Sequence, residues 1–204
     1  MKKVFLPLLL IANIAFGQVD LNLGLRAYYP FSGNANDISG NNNNPVFNNA
    51  TLTADRFGNP NSAYHFNGTN NYMRILNSPT LNMANRMSVS LWVKPTGWYT
   101  GQCYNNMMLM KGDADYLPGN YPLRFSDAFN GCSANPSTTE ERFYDGSGCL
   151  AMLPIVQLNQ WYSVIITHDG TTARLYINCV LQASAPISTT FTNAYDVFLG
   201  HLNN

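Results

Sequence analysis

Charge is scarce in this chain. Asp, Glu, Lys and Arg make up 11% of its 204 residues, and eleven basic residues balance eleven acidic ones. With neither sign in excess, there is no electrostatic case for holding nucleic acid or an anionic membrane. Glutamate is scarcer still, limited to the neighbours Glu140 and Glu141. Adjacent residues on an extended strand point to opposite faces, so this pair is ill placed to act as the two carboxyls of a retaining glycosidase, which stand about 5–5.5 Å apart. No G-x-S-x-G nucleophile elbow is present; Asp145-Gly146-Ser147-Gly148 does not make one. His65, His168 and His201 are scattered and read as surface or packed histidines rather than bases. Catalysis is not expected. Helical periodicity is nearly absent, and no stretch is apolar for long enough to span a bilayer, so membrane insertion is not expected either.

The N-terminus carries a targeting pattern. Lys2 and Lys3 precede the apolar run Val4–Phe16, and Ala15-Phe16-Gly17 offers a small-residue cleavage site before Gln18. Residues 1–17 are therefore read as a signal peptide and 18–204 as one exported domain, secreted or held at the cell surface. Four cysteines, Cys103, Cys132, Cys149 and Cys179, form an even set in an exported chain and read as disulfides, with the pairing left open. The alternative, a zinc site, lacks any C-x-x-C or Cys/His spacing.

Asn, Ser, Thr and Gly carry the polarity, and 12 Tyr and 11 Phe suit short strands joined by polar turns. The clearest stretch is Trp161–Ala185, which alternates with a period of two and predicts a three-stranded meander turning at Asp169-Gly170 and again at Asn178-Cys179. Met87–Lys94 predicts a central strand: Met87, Val89, Leu91 and Val93 alternate with Ser88, Ser90, Trp92 and Lys94. Further strands are expected at Leu25–Phe31, Ala50–Thr53, Ala63–Phe66, Tyr72–Ile75, Met107–Met110, Leu123–Phe125 and Val197–Gly200. Gly131–Glu141 reads as a long polar loop. A meander cannot bury its apolar face alone, so a second sheet must cover it.

The ordered set LRAYYPFSGNANDISGN, DRFGNPNSAYHFNGTNNYMRI, MSVSLWVKP and NQWYSVIITHDGTTARLYINCVLQASAPI resembles the laminin-G-like jelly-roll domain of the concanavalin A-like lectin/glucanase superfamily, in its secreted bacterial form. The resemblance implies an all-β, two-sheet antiparallel jelly-roll sandwich, and the strand pattern points the same way. There are two departures. Cys179 stands where the hairpin of similar domains usually has Gly, at a position that favours positive φ, so either the turn differs or a disulfide holds it. A closing strand usual after Gly200 is also missing, which reads as a C-terminal truncation. In similar domains the N-D-x-S-G-N loop helps to bind calcium. This implies a structural calcium site with Asp37 as the charged ligand and oxygens from Ser39, Gly40 and Asn41, incomplete without the closing strand. The alternative is an Asx-turn in which Asp37 bonds its own backbone. Asp113-Ala114-Asp115 lacks the glycine and glutamate spacing of an EF-hand and reads as a turn.

Binding is the expected function. Aromatic rings that stack on sugars, with Asn and Asp to bond hydroxyls, make Trp98, Tyr99, Tyr104, Tyr116, Tyr121 and Tyr144 the candidate ligand residues. Packing of the same rings against the sandwich is the alternative for each; Trp92 and Trp161 are expected in the core. The sequence thus reads as a non-catalytic module for extracellular carbohydrate or protein. Two other readings stay open: an accessory domain of a glycoside hydrolase whose catalytic part lies elsewhere, and a structural spacer in a surface adhesin.

Overall fold

The computed structural model describes residues 20–97, 106–112, 119–121, 123–125, 142–144, 149–152, 156–186 and 190–201. For residue 125 and for 142–144 and 149–152 it describes the backbone. Residues 1–17, read from sequence as a signal peptide, lie outside this set.

Two antiparallel sheets carry the fold. The first has the strands β1 (Pro45–Asn48), β4 (Met73–Ile75), β13 (Val197–Leu199), β6 (Asn106–Lys111) and β7 (Leu123–Phe125), in that spatial order. The second has the order β12 (Val180–Pro186), β11 (Thr172–Ile177), β10 (Tyr162–Asp169), β5 (Arg86–Val93). Two hairpins complete the described strands: β2 (Thr51–Thr53) with β3 (Ala63–His65), and β8 (Arg142–Tyr144) with β9 (Cys149–Met152). The one short 3-10 turn among the described residues, Pro79–Leu81, is capped by Ser78.

The core lies between the sheets, and the period-two alternation explains it. Val164 pairs with Leu91 on one side and Ile177 on the other, and Ile166 with Val89 and Leu175, which brings one apolar set onto the inner face. These residues pack with Leu123 of β7 and with Val156. Leu175 and Val164 are fully buried, each contributing about 1.5–3 kcal/mol of burial. Further along, Ile75, Leu81, Met87, Tyr121, Phe191 and Val197 form a second buried group. This is an all-β sandwich.

The meander and the central strand form where the alternation predicts them, with ends shifted by a residue. In the first hairpin, Gly170 and Thr171 occupy the loop, with glycine alone at positive φ, as in a type II′ turn. Asp169 Oδ1 accepts from the Thr171 and Thr172 amides and from Thr171 Oγ1. In the second hairpin the turn does not differ from the glycine-bearing kind. Asn178 and Cys179 both take the left-handed conformation, at φ 49° and 67°, and Asn178 Oδ1 accepts from the Ser163 amide.

Three expectations are corrected. Leu25–Phe31 forms no strand: Pro30 has no N–H, Phe31 turns to φ 58°, and the Tyr28 amide donates to Asp37 rather than to a sheet neighbour. Trp92 is not core. It is 47% exposed because it shares the outer face with Ser88 and Ser90, and the Arg56 guanidinium lies 4.4 Å from the centre of its ring. Trp161 is half-buried just before β10, with Lys94 Nζ 5.4 Å from its ring centre.

Candidate functional site

The Asp37 loop is the first place to look for a cation. Asp37 is buried at 8% exposure. Its Oδ1 accepts from the Tyr28 and Ser39 amides, each at 2.9 Å. Its Oδ2 accepts from Ser39 Oγ and the Asn43 amide, also at 2.9 Å each. Desolvation works to raise its pKa, but the hydrogen bonds from Tyr28, Ser39 and Asn43 together hold it below the usual carboxylate range. Asn41 turns its amide nitrogen to the Leu25 and Arg26 carbonyls, and Asn43 Nδ2 reaches the Arg26 carbonyl. Calcium needs six to eight oxygen ligands; here N–H and O–H donors already surround the carboxylate. Each carboxylate oxygen already accepts two hydrogen bonds, an arrangement that leaves Asp37 few lone pairs to offer an ion. The Asx-turn is the arrangement present, and Asp37 serves as the knot of the 25–44 segment.

A better-formed site lies on the outer face of the five-stranded sheet. Register puts Phe47 of β1 and Phe198 of β13 on either side of Arg74 of β4. Met73 and Ile75, the alternate residues of β4, are buried on the inner face. Tyr72, two residues before Arg74, shares its face. The Tyr72 ring stacks on Phe47 at 4.5 Å and meets Phe198 at 6.0 Å and His201 at 5.1 Å. Beside this aromatic wall, Arg74 Nε meets Asp196 Oδ2 at 2.7 Å. Asp196 Oδ1 accepts from the Asn77 amide at 2.7 Å. Tyr72, Arg74, Ala194, Tyr195, Asp196, Phe198 and His201 line an open cleft of about 440 Å³.

Local sequence fixes each wall. Asn67 Oδ1 accepts from the amides of Thr69, Asn70 and Asn71, which closes the turn that delivers Tyr72 to β4. The Tyr72 amide then donates to Asn49 Oδ1. At the far wall, Gly200 turns the chain from β13 to His201 at φ 76°, where a Cβ would strike the Phe66 ring. Below the cleft, the fully buried Lys111 donates from Nζ to Tyr195 O and to both oxygens of Asn193.

A laminin-G family profile, described as Concanavalin A-like lectin/glucanases superfamily, matches residues 67–204. The chain belongs to this family. Among solved structures, this laminin-G domain is similar to domain 4 of AbnA, a GH43 extracellular arabinanase from Geobacillus stearothermophilus, solved in complex with arabinotriose. The identity is 20%, the TM-score 0.48, and the match covers 86% of this chain and 82% of that one. No curated protein matches.

Of the aromatic residues singled out from sequence, Tyr121 alone has a described side chain, and it does not line the cleft of this laminin-G domain. Tyr121 is core: it is 5% exposed, packs edge-on to Phe191 and donates its hydroxyl to the Leu81 carbonyl at 3.0 Å. Trp98, Tyr99, Tyr104 and Tyr116 lie outside the described residues, as do Asp113 and Asp115 and the Gly131–Glu141 loop; Tyr144 is described in backbone only, within β8. Cys179 carries a free, exposed thiol, which departs from the expectation that all four cysteines pair: its turn points it into solvent. Cys103 and Cys132 lie outside the described residues, and Cys149 is described in backbone only. Sequence reading missed Tyr72, Arg74, Tyr195, Asp196, Phe198 and His201. A signal for the first two was present in Tyr72-Met73-Arg74-Ile75, where two polar-tipped residues alternate with two apolar ones.

Proposed function

We propose that this domain is an exported, non-catalytic module that binds uncharged glycan in the Tyr72–Arg74–Asp196–His201 cleft. The observation that carries this reading is the pairing of an aromatic wall with a neutralised ion pair in one open cleft. Sugar rings present apolar C–H faces and a rim of hydroxyls, and such a wall with a few fixed polar groups suits both. Arg74 meets Asp196 through Nε, which leaves its terminal nitrogens to donate to hydroxyls, while the Asp196 carboxylate can accept from them. The two charges of this pair offset each other, so what the pair presents to a ligand is hydrogen bonding to hydroxyls. Membership in a superfamily of lectins and glucanases agrees with this reading. Asp196 is engaged by Arg74 and by the Asn77 amide, so it is poorly placed to act as a proton donor, and the module is assigned no reaction.

The test is a glycan array probed with residues 18–204 and with the Tyr72→Ala and Arg74→Ala variants. Binding to neutral oligosaccharides that both variants lose is expected. Binding that survives both substitutions, or that is confined to acidic glycans, would contradict the proposal.

A further inference from the structure

Lys111 ends β6, and its side chain is fully buried. Its Nζ lies 3.0 Å from Asn77 Oδ1, 3.0 Å from Asn193 O, 2.6 Å from Asn193 Oδ1 and 2.8 Å from Tyr195 O. All four partners are neutral carbonyl or amide oxygens. They come from the segments that follow β4 and precede β13, and β4, β13 and β6 are neighbours in the sheet. Val197 pairs with both Ile75 and Lys111, so the cage sits at one end of those three strands.

We propose that Lys111 acts as a tethered cation, its ammonium filling an oxygen cage of the kind that suits a monovalent metal ion, and that it thereby positions Tyr195 and Asp196 in the cleft. Carbonyl oxygens gathered around a single positive charge are how proteins replace the hydration shell of potassium, an ion close to ammonium in size. A divalent ion would call for carboxylate ligands, and the cage has none. A buried charge is tolerated only when it is fully hydrogen-bonded, and four acceptors around three N–H protons meet that condition. The tether has a consequence for the cleft. Asn193 Oδ1 also accepts from the Tyr195 amide, so the ammonium and one asparagine together fix the backbone from which Tyr195 and Asp196 project. Asn77 closes the ring, offering its side-chain oxygen to Lys111 and its amide to Asp196.

The cage assignment stands on these contacts; its effect on glycan affinity rests on the function proposed above. The experiment uses Lys111→Ala in potassium, ammonium or choline chloride at equal ionic strength. It reads the melting midpoint, amide hydrogen exchange at residues 194–196, and affinity for an array-identified glycan. In choline, exchange at 194–196 is expected to be about tenfold faster than in the wild type, with glycan affinity reduced about tenfold. Potassium or ammonium should restore most of the midpoint and of both local readouts. Equal behaviour in potassium and choline, or unchanged exchange at 194–196, would overturn the proposal. Should Lys111→Ala fail to fold in every salt, Asn77→Ala decides. It removes one cage oxygen from an exposed residue and should speed exchange at 194–196 about threefold while leaving β10 and β11 unchanged; no local change would overturn the proposal. If wild type binds no glycan, the proposed function fails, while cation selectivity and exchange still judge the cage.

Discussion

Replacing Asp37 with Asn separates a hydrogen-bond knot from a calcium ligand. The wild-type carboxylate accepts four hydrogen bonds, three from backbone amides and one from Ser39 Oγ. Asn keeps one acceptor oxygen, able to serve the Tyr28 and Ser39 amides. Its NH2 group faces the Asn43 amide and Ser39 Oγ, so the amide loses its acceptor. Hydrogen bonds to a charged group contribute about 1.5–3 kcal/mol each, and a buried donor left unpaired costs about 1–3 kcal/mol. Since part of this is recovered by relaxation, a net loss of about 2–4 kcal/mol is expected. For a domain of this size each kcal/mol moves the midpoint by about 2–4 °C, so Asp37→Asn should melt roughly 5–15 °C below wild type. The assay is thermal unfolding followed by near-UV circular dichroism, with calcium and with chelator. Both proteins should give the same midpoint in either condition. A wild-type midpoint that rises by several degrees in calcium, with Asp37→Asn indifferent to it, would refute the reasoning. So would an Asp37→Asn midpoint equal to the wild type's.

Other consequences follow from single groups. His168 packs against Phe191 at 4.5 Å, and burial pushes its pKa from 6.5 down to about 4, against the pull of Asp169. Between those values the unfolded chain binds more protons than the folded one, so stability is lost as pH falls from about 6.5 to about 4, by about 2–3 kcal/mol; urea titrations of wild type and His168→Leu should show a slope between about pH 6.5 and pH 5 only for wild type, since below that Asp37 and Asp169, whose pKa values are also lowered, add a slope to both. Cys179 holds φ 67°, a conformation that costs a non-glycine residue about 1–2 kcal/mol, whereas glycine gives back about 0.4–1 kcal/mol through the unfolded chain. Cys179→Gly should therefore raise stability by up to about 1 kcal/mol in the same titration, and a loss would show that the thiol contributes a contact of its own.

Much of the sandwich was legible because burial on one face of a strand imposes a period of two. The parity that placed Val89, Leu91 and Val93 inward also placed Trp92 beside Ser90 on the outer face; only the habit of treating tryptophan as core concealed it. The first segment misled because Leu25–Phe31 has strand composition, while its backbone bonds largely to loop side chains: the Tyr28 amide to Asp37, and the Leu25 and Arg26 carbonyls to Asn41 and Asn43. Tyr121 looked like a loop aromatic because its hydroxyl partner, Leu81, lies 40 residues away. The cleft was least legible. Its wall joins Phe47, Tyr72, Phe198 and His201, and its ion pair links residues 122 apart, so nothing short of strand register brings them together. Lys111 gave no local sign either, since its oxygens come from Asn77, Asn193 and Tyr195.

The central claim is that sugar is held against Tyr72. Isothermal titration of wild type and Tyr72→Ala with a neutral oligosaccharide identified on the array tests it most directly. Loss of one stacking ring, worth about 0.5–1.5 kcal/mol beyond its buried area, together with the area itself, predicts a fall in affinity of about tenfold or more, with the fold intact by circular dichroism. An affinity unchanged by Tyr72→Ala in a folded protein would place the glycan elsewhere and contradict the account.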